Sequence, residues 1–188
     1  MTDTPVLTIG VVSDTHVPDR VAALHPDLLP ALKTAGVSTI LHAGDICSPA
    51  VIELLNEVAP VIAVRGNRDW LFINKLPWRR DFTLGGVNFA MMHGIGNWGK
   101  YLEYKLKYAN NGYRLENYLP MMLKAAPQAG VIVFGHTHFP EIILVEDQLV
   151  FNPGSASLGR RRGWKPTCGI LRILPDGKVE AEIHELGV

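Results

Sequence analysis

Asp14, His16, Asp45, Asn67, His93, His136 and His138 are the residues on which chemistry could rest. Each stands in a short polar group directly after an apolar run: Ser13-Asp14-Thr15-His16, His42-Ala43-Gly44-Asp45, Arg65-Gly66-Asn67-Arg68-Asp69, His93-Gly94 and Gly135-His136-Thr137-His138. Imidazole nitrogen, carboxylate oxygen and amide oxygen together suit a borderline divalent ion such as manganese, iron, cobalt, nickel or zinc better than magnesium or calcium. A lone histidine is ordinarily structural, and His25 and His184 are read that way. Four histidines at strand ends, matched with two aspartates and an asparagine, point as a set to metal.

Such residues must be brought together by the elements that carry them. In the first third, apolar strand-like runs at residues 7–12, 39–41 and 61–64 alternate with helical patterns at 24–35 and 51–58, which predicts a largely parallel sheet with covering helices. Residues 82–92 predict a hairpin around Gly85-Gly86 and a second sheet. Residues 97–126 predict two helices divided near Asn110-Asn111-Gly112, and residues 131–134 a buried strand. Two further hairpins are expected, turning at Glu146-Asp147-Gln148 and at Pro175-Asp176-Gly177. If the strands are neighbours, their polar ends converge on one rim, where open α/β folds place ligands. Glycines 44, 66, 94 and 135 allow sharp exits and a close backbone approach to an ion.

The ordered set Asp-x-His, Gly-Asp, Gly-Asn, His-Gly and Gly-His-x-His resembles the calcineurin-like metallophosphoesterase superfamily. The later Asn152-Pro153-Gly154-Ser155 resembles the corresponding turn of its small prokaryotic phosphodiesterase branch. The resemblance covers nearly the whole chain and implies one α/β domain over residues 1–188, a four-layer, two-sheet sandwich flanked by helices. It implies two divalent transition-metal ions, manganese first, with nickel, iron, cobalt or zinc as alternatives. Asp14, His16, Asp45 and His138 would hold one ion and Asp45, Asn67, His93 and His136 the other, with Asp45 as the bridge and Asp45, Asn67 and His93 counted as catalytic. A carboxylate fits the bridge because its two oxygens can bind different ions. Two divalent ions outweigh two aspartates and a hydroxide, so the centre stays positive and draws in phosphate. A metal-bridging hydroxide would then attack in line.

Many members of the superfamily carry histidine after the Gly-Asn asparagine; here Arg68 stands there. Arginine neutralises phosphate but cannot serve as a practical proton donor, which predicts a preference for esters with good leaving groups. Asn67, Arg68 and Arg160 are the expected substrate contacts, with Arg160-Arg161-Arg162 as a local phosphate wall and Trp164 as a stacking face. Asp69 is read either as orienting a metal-bound histidine or as pairing with Arg68. His42 is read as a hydrogen-bonded structural histidine. Trp98, Tyr101, Tyr104, Tyr108 and Tyr113 have spacings that suit helix packing, with a lid or dimer contact left open.

Composition narrows the classes further. With 18 basic and 18 acidic residues the formal net charge is zero, which counts against a dedicated nucleic-acid binder or nuclease. No apolar run reaches the length that spans a bilayer and the opening residues lack a signal-peptide pattern, so a cytoplasmic protein without membrane contact is expected. Cys47 and Cys168 are read as packed, reduced thiols. The expected activity is hydrolysis of a small phosphate ester, a diester before a monoester, with a homo-oligomer left open. The competing reading is a metal-binding or protein-assembly scaffold on the same fold.

Overall fold

The computed structural model describes residues 4–69, 75–94, 115–158 and 163–187. Strands β1 (Leu7–Val12), β2 (Thr39–His42) and β3 (Val61–Ala63) are parallel, with Ile9 opposite Thr39 and Ile40 opposite Val61. Helices α1 (Leu28–Thr34) and α2 (Pro49–Asn56) occupy the crossovers. α2 begins on a strong local signal: the Ser48 side chain accepts from Ala50 N–H at 3.2 Å and Pro49 fills the first turn. α1 is shorter than the helical pattern at residues 24–35. Pro26 disfavours helical geometry at His25, so the apolar period runs ahead of the helix.

The second sheet contains β4 (Arg79–Leu84) and β5 (Val87–Met92), the hairpin at Gly85-Gly86, then β6 (Val131–Val133), β7 (Pro140–Val145) and β8 (Gln148–Pro153). Its order is β4-β5-β6-β8-β7. A 3-10 turn at Leu115–Asn117 leads into α3 (Leu119–Ala125). Of the two helices expected in residues 97–126, only this second one falls among the described residues, and the aromatic positions from Trp98 to Tyr113 lie outside them.

The first sheet is mixed rather than largely parallel. The C-terminal hairpin of β9 (Thr167–Ile173) and β10 (Val179–Glu185) returns to the free side of β1, giving the order β10-β9-β1-β2-β3 with Leu7 opposite Ile173 in antiparallel register. Local periodicity cannot reveal a partner that arrives from the other end of the chain.

The layers follow from which side chains each strand faces inward. Ile9, Val11, Leu41, Phe89, Met91, Val131, Val133, Phe151 and Leu171 pack between the two sheets. Val12 and Ile40 turn the other way and meet Leu28, Leu32, Val51 and Leu55 of α1 and α2. On the far side, Ala90, Ile132, Phe134 and Val150 pack against Met122 and Tyr118. Central strands covered on both faces are apolar without alternation, as expected of an α/β/β/α sandwich. Among the described residues no helix is long and apolar enough to cross a membrane.

Candidate metal centre

The strand ends of both sheets meet at one rim. Loops leaving β1 and β2 are stitched together where Asp14 N–H donates to Gly44 C=O and His16 N–H to Asp45 C=O, both at 3.0 Å. The second sheet joins them through Gly135 N–H donating to His93 C=O at 3.1 Å and through the His93 ring, whose Nδ1 lies 2.7 Å from Ala43 C=O. Asp14, His16, Asp45, Cys47, His136 and His138 all have positive φ, between 51° and 71°. Left-handed backbone in non-glycine residues costs on the order of 1 kcal/mol each and persists only where the surroundings enforce it. The glycines make room for side chains: a Cβ on Gly66 would collide with the Asp45 carboxylate and one on Gly135 with Ser13 Oγ.

Asp14 is fully buried and divides its oxygens. Oδ2 accepts from Ser13 Oγ at 2.6 Å and from His136 N–H at 2.9 Å, while Oδ1 makes no hydrogen bond. That oxygen lies 3.2 Å from His138 Nε2, 3.7 Å from His16 Nε2 and 3.9 Å from His93 Nε2. Asp45 also faces two ways, with Oδ1 3.3 Å from His93 Nε2 and Oδ2 3.9 Å from His16 Nε2. His136 Nδ1 meets Asn67 Oδ1 at 2.9 Å, and the Nε2 atoms of His16 and His138 stand 3.2 Å apart. The structure thus brings the seven residues together, with Asp14–His16–His138 and Asp14–Asp45–His93 each offering three donor atoms within 4.8 Å of one another.

Burial would raise the Asp14 carboxyl, yet His138, His93 and His16 outweigh it and hold the group well below the usual carboxylate range. Asp45 is lowered in the same way: burial opposes ionisation and His93 overcomes it. Burial also opposes charge on His93, but Asp45 and Asp14 raise it to about 10. Desolvation keeps His16 and His136 neutral, each at about 4. Two ionised carboxylates therefore sit beside a protonated His93 and the neutral imidazoles of His16 and His136, whose lone pairs are available. His93 Nε2, like Asp14 Oδ1, is buried without a hydrogen-bond partner. Orphaned buried polar atoms are costly, and bound cations would satisfy the carboxylate oxygen and, once it loses its proton, the imidazole nitrogen.

Residues 7–174 match the family model described as the calcineurin-like phosphoesterase superfamily domain. The chain belongs to that superfamily. It is 35% identical over 182 residues to a probable metallophosphoesterase of Methanothermobacter thermautotrophicus, covering 96% of this chain and 94% of that protein. It is 31% identical over 173 residues to a phosphodiesterase of Methanocaldococcus jannaschii, covering 88% and 92%. A vacuolar protein sorting 29 structure from Cryptosporidium parvum superposes with a TM-score of 0.65 at 18% identity, covering 97% of this chain and 98% of that one, which is a likeness of fold.

Around this phosphoesterase centre lies a set of supports that the sequence reading missed or misplaced. Asp69 neither orients a histidine nor pairs with Arg68. It is fully buried and accepts from Ile46 N–H at 2.8 Å, Cys47 N–H at 2.7 Å and Gly66 N–H at 2.7 Å, which ties the Asp45 loop to the Asn67 loop. Asn152 donates to Gly135 C=O and to Thr137 Oγ1, and Ser155 and Ser157 both donate to Asp14 C=O at 2.9 Å. Asn152 near the end of the buried strand β8 and the polar turn that follows it were the available signal for these three.

His42 has the structural role expected of it. Gly44 N–H donates to its Nδ1 at 3.2 Å, so Nε2 carries the proton and meets Thr15 Oγ1 at 3.2 Å. Burial pushes it down to about 3, so it stays neutral.

The Arg68 side chain reaches Asp19, with Nη1 2.7 Å from Oδ2, while its backbone N–H donates to Asp45 Oδ1 at 2.8 Å. Trp164 packs edge-on against Phe139 with centroids 5.7 Å apart. Arg160, Arg161 and Arg162 lie outside the described residues.

Proposed function

We propose that the chain, as one domain over residues 1–188, is a dinuclear metal-dependent phosphodiesterase acting on a small phosphate ester. The observation that carries this reading is the pair of orphaned atoms, Asp14 Oδ1 and His93 Nε2, buried amid the remaining imidazoles and the divided Asp45 carboxylate. Asp14, His16, Asp45 and His138 would hold one ion and Asp45, Asn67, His93 and His136 the other, with manganese preferred. When bound, the ions would acidify a shared water as nucleophile and draw charge from the phosphoryl oxygens.

The chain's own groups do the rest. Ser13 and the His136 N–H fix one Asp14 oxygen and aim the other. The His93 Nδ1–H bond to Ala43 C=O leaves Nε2 facing the carboxylates. Asn67, beside His136, would also receive a phosphoryl oxygen. Arg68 would leave Asp19 to neutralise the phosphate, joined by Arg160. Arginine in the place of a proton donor favours leaving groups that depart without protonation. The phosphodiesterase of Methanocaldococcus jannaschii supports diester over monoester, and the family supports hydrolysis.

The test is hydrolysis of paired aryl phosphodiester and monoester substrates by metal-stripped protein with manganese, nickel, zinc or magnesium restored separately. Diester turnover should return with manganese and fall at least 100-fold in Asp45→Asn. Stoichiometric metal uptake with no turnover of any phosphate ester would move the reading to a scaffold, a role the fold likeness alone allows.

A further inference from the structure

His16 has two faces. Its Nε2 looks toward Asp14, His138 and Asp45, but its Nδ1 looks the other way, 4.0 Å from Cys47 Sγ and 3.9 Å from Asp19 Oδ2. The three donor atoms, one nitrogen, one sulfur and one oxygen, lie within 4.8 Å of one another. Cys47 is held in place rather than drifting: its backbone is left-handed at φ 70° and its N–H is fixed by Asp69 Oδ1 at 2.7 Å. Asp19, at 35% exposure, is the open side of the group, through which an ion could enter.

We propose that Cys47, His16 and Asp19 form a second, inhibitory site for one thiophilic divalent cation of the zinc and cadmium class. Thiolate with imidazole and carboxylate is a donor set that such ions prefer over manganese or magnesium. For zinc, tetrahedral bond lengths imply donor separations of roughly 3.3–3.6 Å, so both separations from His16 Nδ1 have to contract by about half an ångström. The partly exposed Asp19 closes its side of the group by giving up Arg68, and rotation of the Cys47 side chain closes the other. Binding replaces the Cys47 S–H bond with a sulfur–metal bond and releases the proton to solvent.

Inhibition follows from the imidazole itself. A neutral imidazole has one lone pair and one N–H. An ion on Nδ1 forces the proton onto Nε2, so His16 can no longer donate to an ion beside Asp14. Occupation of the outer site and use of His16 by the inner one are mutually exclusive. The inhibitory half rests on the proposed hydrolytic function; the binding half does not.

The test is titration of the full-length, metal-stripped protein with cadmium, followed through the ultraviolet thiolate-to-cadmium charge-transfer band, which needs no activity. The band should level off at the amplitude of a single cadmium–thiolate bond in the wild type and in Cys168→Ala, be absent in Cys47→Ser, and require roughly 10-fold more cadmium in Asp19→Asn. A band that persists in Cys47→Ser, or that vanishes in Cys168→Ala, would overturn the site. So would the lack of any band in folded wild-type protein at saturating cadmium. Asp19→Asn alters a partly exposed residue and keeps the comparison sound should Cys47→Ser fold poorly. In manganese-supported hydrolysis, low cadmium should inhibit the wild type at least 10-fold more than Cys47→Ser; equal inhibition of both would remove the inhibitory half and leave the binding half standing.

Discussion

Asp69 and His42 are the buried polar residues whose removal should be felt most clearly as stability. In Asp69→Ala, the N–H groups of Ile46, Cys47 and Gly66 lose their acceptor inside the protein. Unmet buried donors cost enough that a loss of about 3 kcal/mol is expected in urea unfolding. His42 contributes a pH dependence. Its folded-state value is about 3 against 6.5 for a free histidine, so below about pH 6.5 the unfolded chain gains a proton that the folded chain refuses. Stability is therefore lost as pH falls from that point, by up to about 1.4 kcal/mol per unit until the folded value is reached. In metal-free protein, His42→Asn should show a shallower acid slope of urea stability between pH 6 and pH 4, and an unchanged slope would refute the assignment.

Loops between elements determine where the carboxylates point, and here two glycines offer a controlled comparison. Gly66→Ala places a methyl group against the Asp45 carboxylate and should weaken manganese binding at least 10-fold by calorimetry. Gly86→Ala sits in the β4–β5 hairpin at φ 81° with nothing within 4 Å of the added methyl. It should cost about 1 kcal/mol of stability through the backbone and leave metal affinity unchanged. The same loops show what the sequence disclosed. Asp14, Asp45 and His136 could be read because each directly follows a buried apolar run, and the strands deliver those positions to one rim. Asp69 could not, because its partners Ile46 and Cys47 are backbone groups in another loop, invisible to side-chain chemistry. Nor could the Arg68–Asp19 pair, which joins residues 49 positions apart. The β9–β1 pairing has the same character: Ile173 and Leu7 say nothing of each other in sequence, so the mixed sheet was legible only in three dimensions.

For the molecule as a whole, metal is expected to act as a folding ligand as well as a cofactor. Removal of the ions leaves Asp14 compensated by His138, His93 and His16, and Asp45 by a protonated His93. Manganese at 100 times its dissociation constant should add about 2.7 kcal/mol per independent site, seen as a rise in melting temperature that chelator reverses. Because an ion at the inner site must displace the His93 proton, held up to about 10, its apparent affinity should fall close to 10-fold for each pH unit between 9 and 7. Calorimetry at several pH values checks this, and a flat profile would exclude His93 as a ligand.

The left-handed backbone at positions 14, 16, 45, 47, 136 and 138 sets a trap for protein engineers. Glycine relaxes every one of those conformations at no steric cost. A library selected for heat resistance alone should therefore drift toward glycine at His138, a candidate ligand that is only partly buried at 11% exposure, and return sturdier proteins with weakened metal binding. Thermostable variants that still turn over will come only from screens in which survival and catalysis are demanded of the same clone.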